Sequence, residues 1–262
     1  MPMIEIEHLN VWICAGAREV HAVRDVSLAL EPGAHLAIIG ESGSGKSTLL
    51  LAMLGLLPPT AEVSGRLVVD GVDVLQGPEA EFNALRWRRA AMVFQASSNP
   101  FSPVRTIGRQ LGAVLRFHGS TPVAARGRVE DLLAMVRLPT SVAAAYPHQL
   151  SGGMRQRAVI ALALACAPKI LLADEPTTAL DPIVQAEIVE LLFSLSAQLG
   201  LTLVLVSHDL QLVSHMTGDL AVMQAGEMVA CGAVGELMAR PTHVHLRDLI
   251  TALPRFELTE AP

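Results

Sequence analysis

The sequence predicts an α/β fold: a parallel-sheet core, an antiparallel β region ahead of it, and an α-helical lobe inserted within it. Three observations predict this. Residues 40–47 read Gly-Glu-Ser-Gly-Ser-Gly-Lys-Ser, with a strand-like run, His35 to Ile39, leading in and a helical run, Thr48 to Leu54, leading out. Ile170 to Ala173 and, apart from Thr202, Leu201 to Val206 are apolar throughout, as in strands buried on both faces of a parallel sheet. From Thr106 to about Arg137 the apolar spacing is helical, and no buried strand is signalled before about residue 156.

The elements follow in order. Ile4 to Val11 and Val26 to Leu30 alternate with period two and read as strands, with Glu31-Pro32-Gly33 as a turn. The helix after residue 47 ends at Pro58-Pro59, and Gly65 to Gly71 reads as a short strand entering a turn. Ala90 to Phe94 is a strand with Gln95 at its exit, followed by a Ser- and Pro-rich loop to Pro103. In the helical stretch Val129, Leu132, Leu133 and Val136 share one face. Leu220 to Met223 and Met228 to Ala230 form a late hairpin that turns at Gln224 to Glu227. The expected organisation is one domain over 1–262: core about 1–95 and 157–240, helical lobe about 96–156, C-terminal tail about 241–262.

Bulk properties narrow the function. Hydrophobic residues are 51% of the 262 and mean hydropathy is +0.44, ample for a core and an excess expected to cover a partner. The apolar runs, such as Leu49 to Pro58 and Ala158 to Pro168, reach about ten residues, where roughly 20 are needed to span a bilayer. The N-terminus alternates like a strand and lacks the order of a signal peptide. A formal net charge of −6 argues against broad nucleic-acid binding. Cys14, Cys166 and Cys231 are odd in number and widely spaced, so neither a disulfide framework nor a cysteine metal site is expected.

Chemistry enters with residues 40–47. The pattern is G-x-x-x-x-G-K-[ST], a phosphate-binding loop for ATP or GTP, and its strand–loop–helix setting reads as a P-loop NTPase core of the RecA-like type. The glycines let backbone N–H groups turn inward around phosphate oxygens, and the helix N-terminus adds a fixed positive end. Lys46 reaches the β- and γ-phosphates, and the Ser47 hydroxyl is a Mg²⁺ ligand. Asp174 ends an apolar strand and is placed to hold Mg²⁺ directly or through water, while Glu175 is placed to orient or deprotonate the attacking water. Taken alone, Asp-Glu after a strand is as readily a solvated turn. Ser151-Gly152-Gly153 opens a second anion-binding helix end, suited to a γ-phosphate held by another subunit, or is simply an N-cap. His208 follows the strand 201–206 and would face the same crevice, although a lone His there is more often structural.

In order along the chain stand Gly40 to Ser47, Gln95, Leu150 to Arg157, Ile170 to Glu175, Ala179 to Asp181 and His208. By this series the chain resembles the nucleotide-binding subunit of an ATP-binding cassette (ABC) transporter, with Walker A, Q-loop, signature, Walker B, D-loop and switch histidine. The resemblance implies two such domains closing head to tail over two ATP molecules, each bound by Walker A of one and the signature of the other. It implies nucleotide contacts from Gly40, Glu41, Ser42, Gly43, Ser44, Gly45, Lys46, Ser47 and Thr48, and from Ser151, Gly152, Gly153, Gln156 and Asp181, the last near the dimer seam. It implies Mg²⁺ held by Ser47, Gln95 and Asp174, and catalysis by Glu175 as base, His208 as γ-phosphate sensor and Gln95. Gln95 and the loop after it would touch a coupling helix of a membrane partner.

Residues 40–47, 151–157 and 173–181 are further similar to the dipeptide, oligopeptide and nickel uptake branch, as is, loosely, Pro241 to Ile250. That implies a second ATPase subunit (a paralogue or itself), two permeases, an external solute-binding protein, and a peripheral position on the cytoplasmic face of the membrane. Three departures matter. Ile13 stands where the family has an adenine-stacking aromatic, with Trp12 beside it. Phe101, in Asn99-Pro100-Phe101-Ser102-Pro103, is similar to nickel and metallophore members, and Phe101 is either core or a coupling-helix contact. No cysteine follows Pro254, so no iron–sulfur cluster is expected. The last two tilt the expected cargo toward nickel or a metal chelate rather than small peptides. The rival readings are an export subunit, a non-transport ATPase of DNA repair or translation, and a regulatory module without turnover. His243 and His245, two apart on a helical segment, offer weak support for a metal site. Arg86, Arg88 and Arg89 read as a solvated face.

Overall fold

The computed structural model describes residues 1–15, 18–95, 100–214 and 218–251. The loop positions Ala96 to Asn99 and the tail beyond Thr251, with Pro254, lie outside the described residues. The chain begins with two long strands, β1 (Ile4–Ala15) and β2 (Arg18–Leu30). Then come β3 (His35–Ile39), α1 (Lys46–Met53), β4 (Ala61–Val69), β5 (Val72–Asp73), α2 (Glu79–Leu85) and β6 (Ala90–Val93). Three helices follow: α3 (Ile107–Phe117), α4 (Pro122–Met135) and α5 (Gly152–Ala163). The remainder is β7 (Ile170–Asp174), α6 (Pro182–Leu199), β8 (Thr202–Ser207), α7 (Leu210–Ser214), β9 (Asp219–Gln224), β10 (Glu227–Ala233), α8 (Val234–Ala239) and α9 (Val244–Thr251).

Two sheets result. One is antiparallel, in the order β2-β1-β4-β5, and the other runs β10-β9-β3-β8-β7-β6. In the second, β9, β3, β8, β7 and β6 are all parallel and only β10 is antiparallel. Strand alternation explains the uniformly apolar runs. Leu172, Val204 and Ile38 face a cluster shared with α1 and the antiparallel sheet. Leu171 and Leu203 face α5, α6 and the α3–α4 pair, and Ala37 and Ile39 face α7 and α8. With both faces covered, polar residues in these strands are confined to their ends, His35 in β3, Asp174 in β7, and Thr202 and Ser207 in β8.

Several boundaries differ from the sequence expectation. β1 and β2 run well past Val11 and upstream of Val26, because they form one long ribbon with register shifts at Ile6/Leu9 and Val11/Trp12. β4 starts at Ala61 rather than Gly65. Gly65 lies inside it with φ +104°, where a Cβ would come within 2.5 Å of the His8 carbonyl oxygen. That glycine absorbs the bulge between β1 and β4, where a register shift falls between Glu7 and Asn10. The helical stretch 106–137 is two helices, broken at Gly119 (φ +100°) and restarted by Thr121, whose hydroxyl accepts from the Ala124 amide. Val129, Leu132, Leu133 and Val136 are all buried, as expected.

Helix α6 is long and apolar enough to cross a membrane by length and composition alone, with 18 residues at hydropathy 1.2. Its Ile188, Leu191, Leu192 and Leu195 are core residues here. The arginines also depart from expectation. Arg86 donates from Nε to the Leu54 carbonyl (3.0 Å) and from Nη2 to the Gly55 carbonyl (2.6 Å), closing the C-terminus of α1. Arg89 and Lys169 converge on Asp70, at 3.5 Å and 3.1 Å. Phe101 is 4% exposed and lies in the core beside α3.

Candidate nucleotide site

The parallel register brings the chemistry together. Ile39 is level with Ser207, and Asp174 with Val206, so β3, β7 and β8 end at one edge of the sheet. β6 ends there too, with Val93 beside Ala173 and Gln95 just beyond. Crevices at the carboxyl ends of parallel strands are where ligands bind. A cleft of about 550 Å³ opens at this edge, lined by Ser42, Gly43, Gly45 to Thr48, Gln95, Asp174 and Glu175.

The loop at 40–47 has the geometry of an anion cradle. Gly40 (φ +155°) and Gly45 (φ +101°) leave no room for a Cβ, which would strike the carbonyls of Met223 and Ala22 respectively. Gly45 caps α1 without any side-chain acceptor, so the first-turn N–H groups remain open to a ligand. Lys46 is 5% exposed. Its Nζ donates to the carbonyls of Gly40 (2.9 Å) and Glu41 (2.7 Å) and to the Ser44 hydroxyl (3.2 Å). Burial lowers its pKa, and the carboxylates of Glu175, Asp174 and Glu41 oppose that shift. A bound phosphate would add to the counter-charge that these carboxylates give the desolvated ammonium.

Ser47 Oγ donates to Asp174 Oδ1 at 3.0 Å. Burial raises the Asp174 pKa and the neighbouring Glu175 charge adds to it, against the Ser47 bond and Lys46. A hydroxyl and a destabilised carboxylate in contact form a hard-oxygen pair, the donor set that suits Mg²⁺. Glu175 has φ +42°, a strained setting for a glutamate, and its amide is tied to the Val206 carbonyl at 3.1 Å. Its Oε2 accepts from the Thr178 hydroxyl at 3.0 Å and lies 3.5 Å from His208 Nδ1. The His208 side chain is 59% exposed at the end of β8.

Not every expected residue is in this cleft. Ser151 caps α5 by accepting from the Met154 amide (3.2 Å), and Asp181 caps α6 by accepting from the Val184 amide (3.1 Å). Ser151, Gly152 and Asp181 are exposed, and none lines the cleft. Gly152 and Gly153 allow α5 to approach the Leu180 and Val184 side chains. Gln156, also expected to contact nucleotide, lies inward in this chain. It is 3% exposed with its Nε2 unpartnered, because its phase on α5 turns it inward.

Of the opposite wall, made by Ile13, Val20, His21, Ala22 and Arg24 with the turn Ala225–Gly226, sequence reasoning had pointed to Ile13 alone. Gly226 donates to the Ser44 carbonyl and accepts from the Arg24 amide, stitching that turn to the loop. Ile13 pairs with Val20 across β1 and β2, while Trp12 pairs with His21 and stacks on it at 4.4 Å. A larger hollow of about 810 Å³ lies along α6, lined by Val189, Phe193 and Leu212 among others, without the phosphate-binding set. His243 Nδ1 accepts from the His245 amide, and no three-residue metal cluster exists among the described residues.

Comparisons with known proteins show the family. The ABC transporter family profile matches residues 23–178. The peptidoglycan transport ATP-binding protein YejF of Agrobacterium fabrum is 42% identical over 98% of this chain, which spans 48% of that protein. The oligopeptide transport ATP-binding protein OppD of Haemophilus influenzae is 38% identical over 99% of this chain and 81% of its own length. The dipeptide transport ATP-binding protein DppD of Bacillus subtilis is 39% identical over 99% and 79%. Among solved structures, a dimeric ATP-binding cassette in a post-hydrolysis state with ADP and Pi aligns at TM-score 0.78 and 30% identity, over 88% of this chain and 99% of that one. The cassette cbiO1 of Clostridium perfringens, part of the ABC transporter complex cbiONQ, aligns at 0.79 and 27%, over 91% of each. A phosphate cradle, a buried lysine and paired carboxylates at one sheet edge, with this kinship over most of its length, place the chain in the ABC transporter family as an ATP-hydrolysing cassette.

Proposed function

We propose that this cassette is the ATPase subunit of an importer for peptides or peptide-containing fragments, working as one of a pair on two membrane permeases at the cytoplasmic face. The observation that carries the mechanism is the convergence of Lys46, Ser47, Gln95, Asp174 and Glu175 on one cleft, with His208 against Glu175. The loop 40–47 grips the phosphates through backbone N–H groups and Lys46. Ser47, Asp174 and Gln95 are the residues that would hold Mg²⁺, which supplies charge neutralisation at the β- and γ-phosphates when bound. Glu175 takes a proton from the attacking water as the γ-phosphoryl leaves, and His208 contacts that phosphoryl group.

Pairing is supported by what the cleft lacks. Ser151, Gly152 and Asp181 are exposed but away from their own cleft, as a head-to-tail partner would require. A similar cassette was solved as a dimer with ADP and Pi. The base wall in this chain is aliphatic, Ile13 with Val20, and Trp12 is engaged with His21 instead.

The cargo assignment rests on relatives named for oligopeptide, dipeptide and peptidoglycan transport. The nickel reading leaned on Phe101 and on the lack of a cysteine after Pro254; the Phe101 side chain is core here, and Pro254 lies outside the described residues. Uptake of labelled dipeptides and of labelled nickel in cells lacking the chain, complemented by wild type or Glu175→Gln, separates the two. Peptide uptake restored by wild type alone supports the proposal. Restored nickel uptake with unchanged peptide uptake overturns the cargo.

A further inference from the structure

The segment between Glu175 and α6 is held more tightly than a connector needs. The Thr178 amide donates to the Glu175 carbonyl (3.2 Å) and the Leu180 amide to the Thr177 carbonyl (3.2 Å), so the backbone closes two successive turns by itself. Ala179 takes φ +65° between them. From α6, Gln185 Nε2 donates to the carbonyls of Thr177 (3.2 Å) and Leu180 (3.1 Å), fixing both turns to the helix. The Thr178 hydroxyl is required by none of this. It donates instead to Glu175 Oε2 at 3.0 Å.

We propose that Thr178 is a positioning residue whose hydroxyl aims the Glu175 carboxylate at the attacking water and ties that aim to the 177–181 loop. The proposal rests on Glu175 being the base. A glutamate side chain has three rotatable bonds, and freezing it has an entropic cost that a tether bears before the reaction. The local charges make the tether necessary. Lys46, on α1, is a buried cation whose strongest favourable charge interaction is with Glu175. Asp174, one residue back on β7, repels the same carboxylate. An untethered Glu175 would swing toward the ammonium and away from the water. With Oε2 engaged by Thr178 and near His208 Nδ1, Oε1 accepts no hydrogen bond among the described residues and is available to a water.

The loop itself ends at Asp181 and the 75%-exposed Ile183, on the surface assigned above to the paired subunit. Pressure on that surface reaches the base through one hydrogen bond. A bond to a charged group, if lost only in the transition state, corresponds to a rate loss of about tenfold or more.

The test is steady-state phosphate release by the full chain at varied Mg·ATP, comparing wild type, Thr178→Val, Thr178→Ser and Glu175→Gln. Thr178→Val is expected to lower kcat about tenfold with KM within about twofold, and Thr178→Ser to recover to within about threefold. If Thr178→Val does not fold, Thr178→Ala serves the same arm. Wild-type turnover in Thr178→Val beside an inactive Glu175→Gln overturns the proposal and leaves the base assignment standing. Equal losses in the Val and Ser variants, or a large rise in KM, make the role one of shape or binding and overturn it too. Wild-type turnover in Glu175→Gln removes the base assignment and this proposal with it.

Discussion

At the residue scale, Lys46 and Gly45 carry the binding step in different ways. Lys46 is a cation without water, held by carbonyls until phosphate arrives. Lys46→Ala therefore abolishes nucleotide-dependent turnover, measured as phosphate release. Gly45 acts by having no side chain. Gly45→Ala would set a methyl against the Ala22 carbonyl at φ +101°. It should lose nucleotide affinity at least tenfold by calorimetry, with stability down about 1–3 kcal/mol. Ile13 offers an opposite prediction. It lines the cleft where an aromatic would stack. Ile13→Tyr should tighten ATP binding about fivefold, the equivalent of about 1 kcal/mol of added stacking. Unchanged affinity would mean the base does not rest there. Ser47 to Asp174, 127 positions apart, was legible in the sequence because each belongs to a contiguous motif whose spacing is fixed by the loop or strand carrying it. The burial of Gln156 was not legible, because it depends on helix phase, which the motif does not state.

At the element scale, the parallel strands made the site legible. A strand apolar at every position is buried on both faces, and its first polar residue then falls at the sheet edge. That logic places Asp174 and Gln95 without any long-range knowledge, and His208 one residue past Ser207 at the end of β8. The antiparallel ribbon was less legible. Its register shifts decide that Ile13, Val20 and Arg24 reach the cleft while Trp12 pairs with His21, and no alternation pattern encodes a shift. The clamp on α1 was hidden for the same reason. Arg86 comes from beyond α2 to hold the carbonyls of Leu54 and Gly55. Arg86→Met keeps the stem and removes the donors, so urea unfolding should show a loss of about 2 kcal/mol. A change within about 0.3 kcal/mol would mean solvent replaces the guanidinium at no cost.

At the scale of the whole molecule, the proposed function makes the arrangement half of a catalytic unit. One edge of the sheet holds the loop 40–47 and Glu175, the proposed base, and a separate exposed surface holds Ser151, Gly152 and Asp181. ATP should therefore join two chains and hydrolysis should part them. Sedimentation of Glu175→Gln with Mg·ATP should show a persistent dimer, and with ADP a monomer. A monomer under both conditions would remove the head-to-tail assembly, or require a paralogue as partner, which mixing with the second cassette would reveal. The most direct test of the central claim is the ATP hydrolysis rate of Glu175→Gln against wild type, with bound ATP measured in the same sample. The account predicts retained ATP and hydrolysis reduced by about a hundredfold or more. Hydrolysis by Glu175→Gln at the wild-type rate would contradict it.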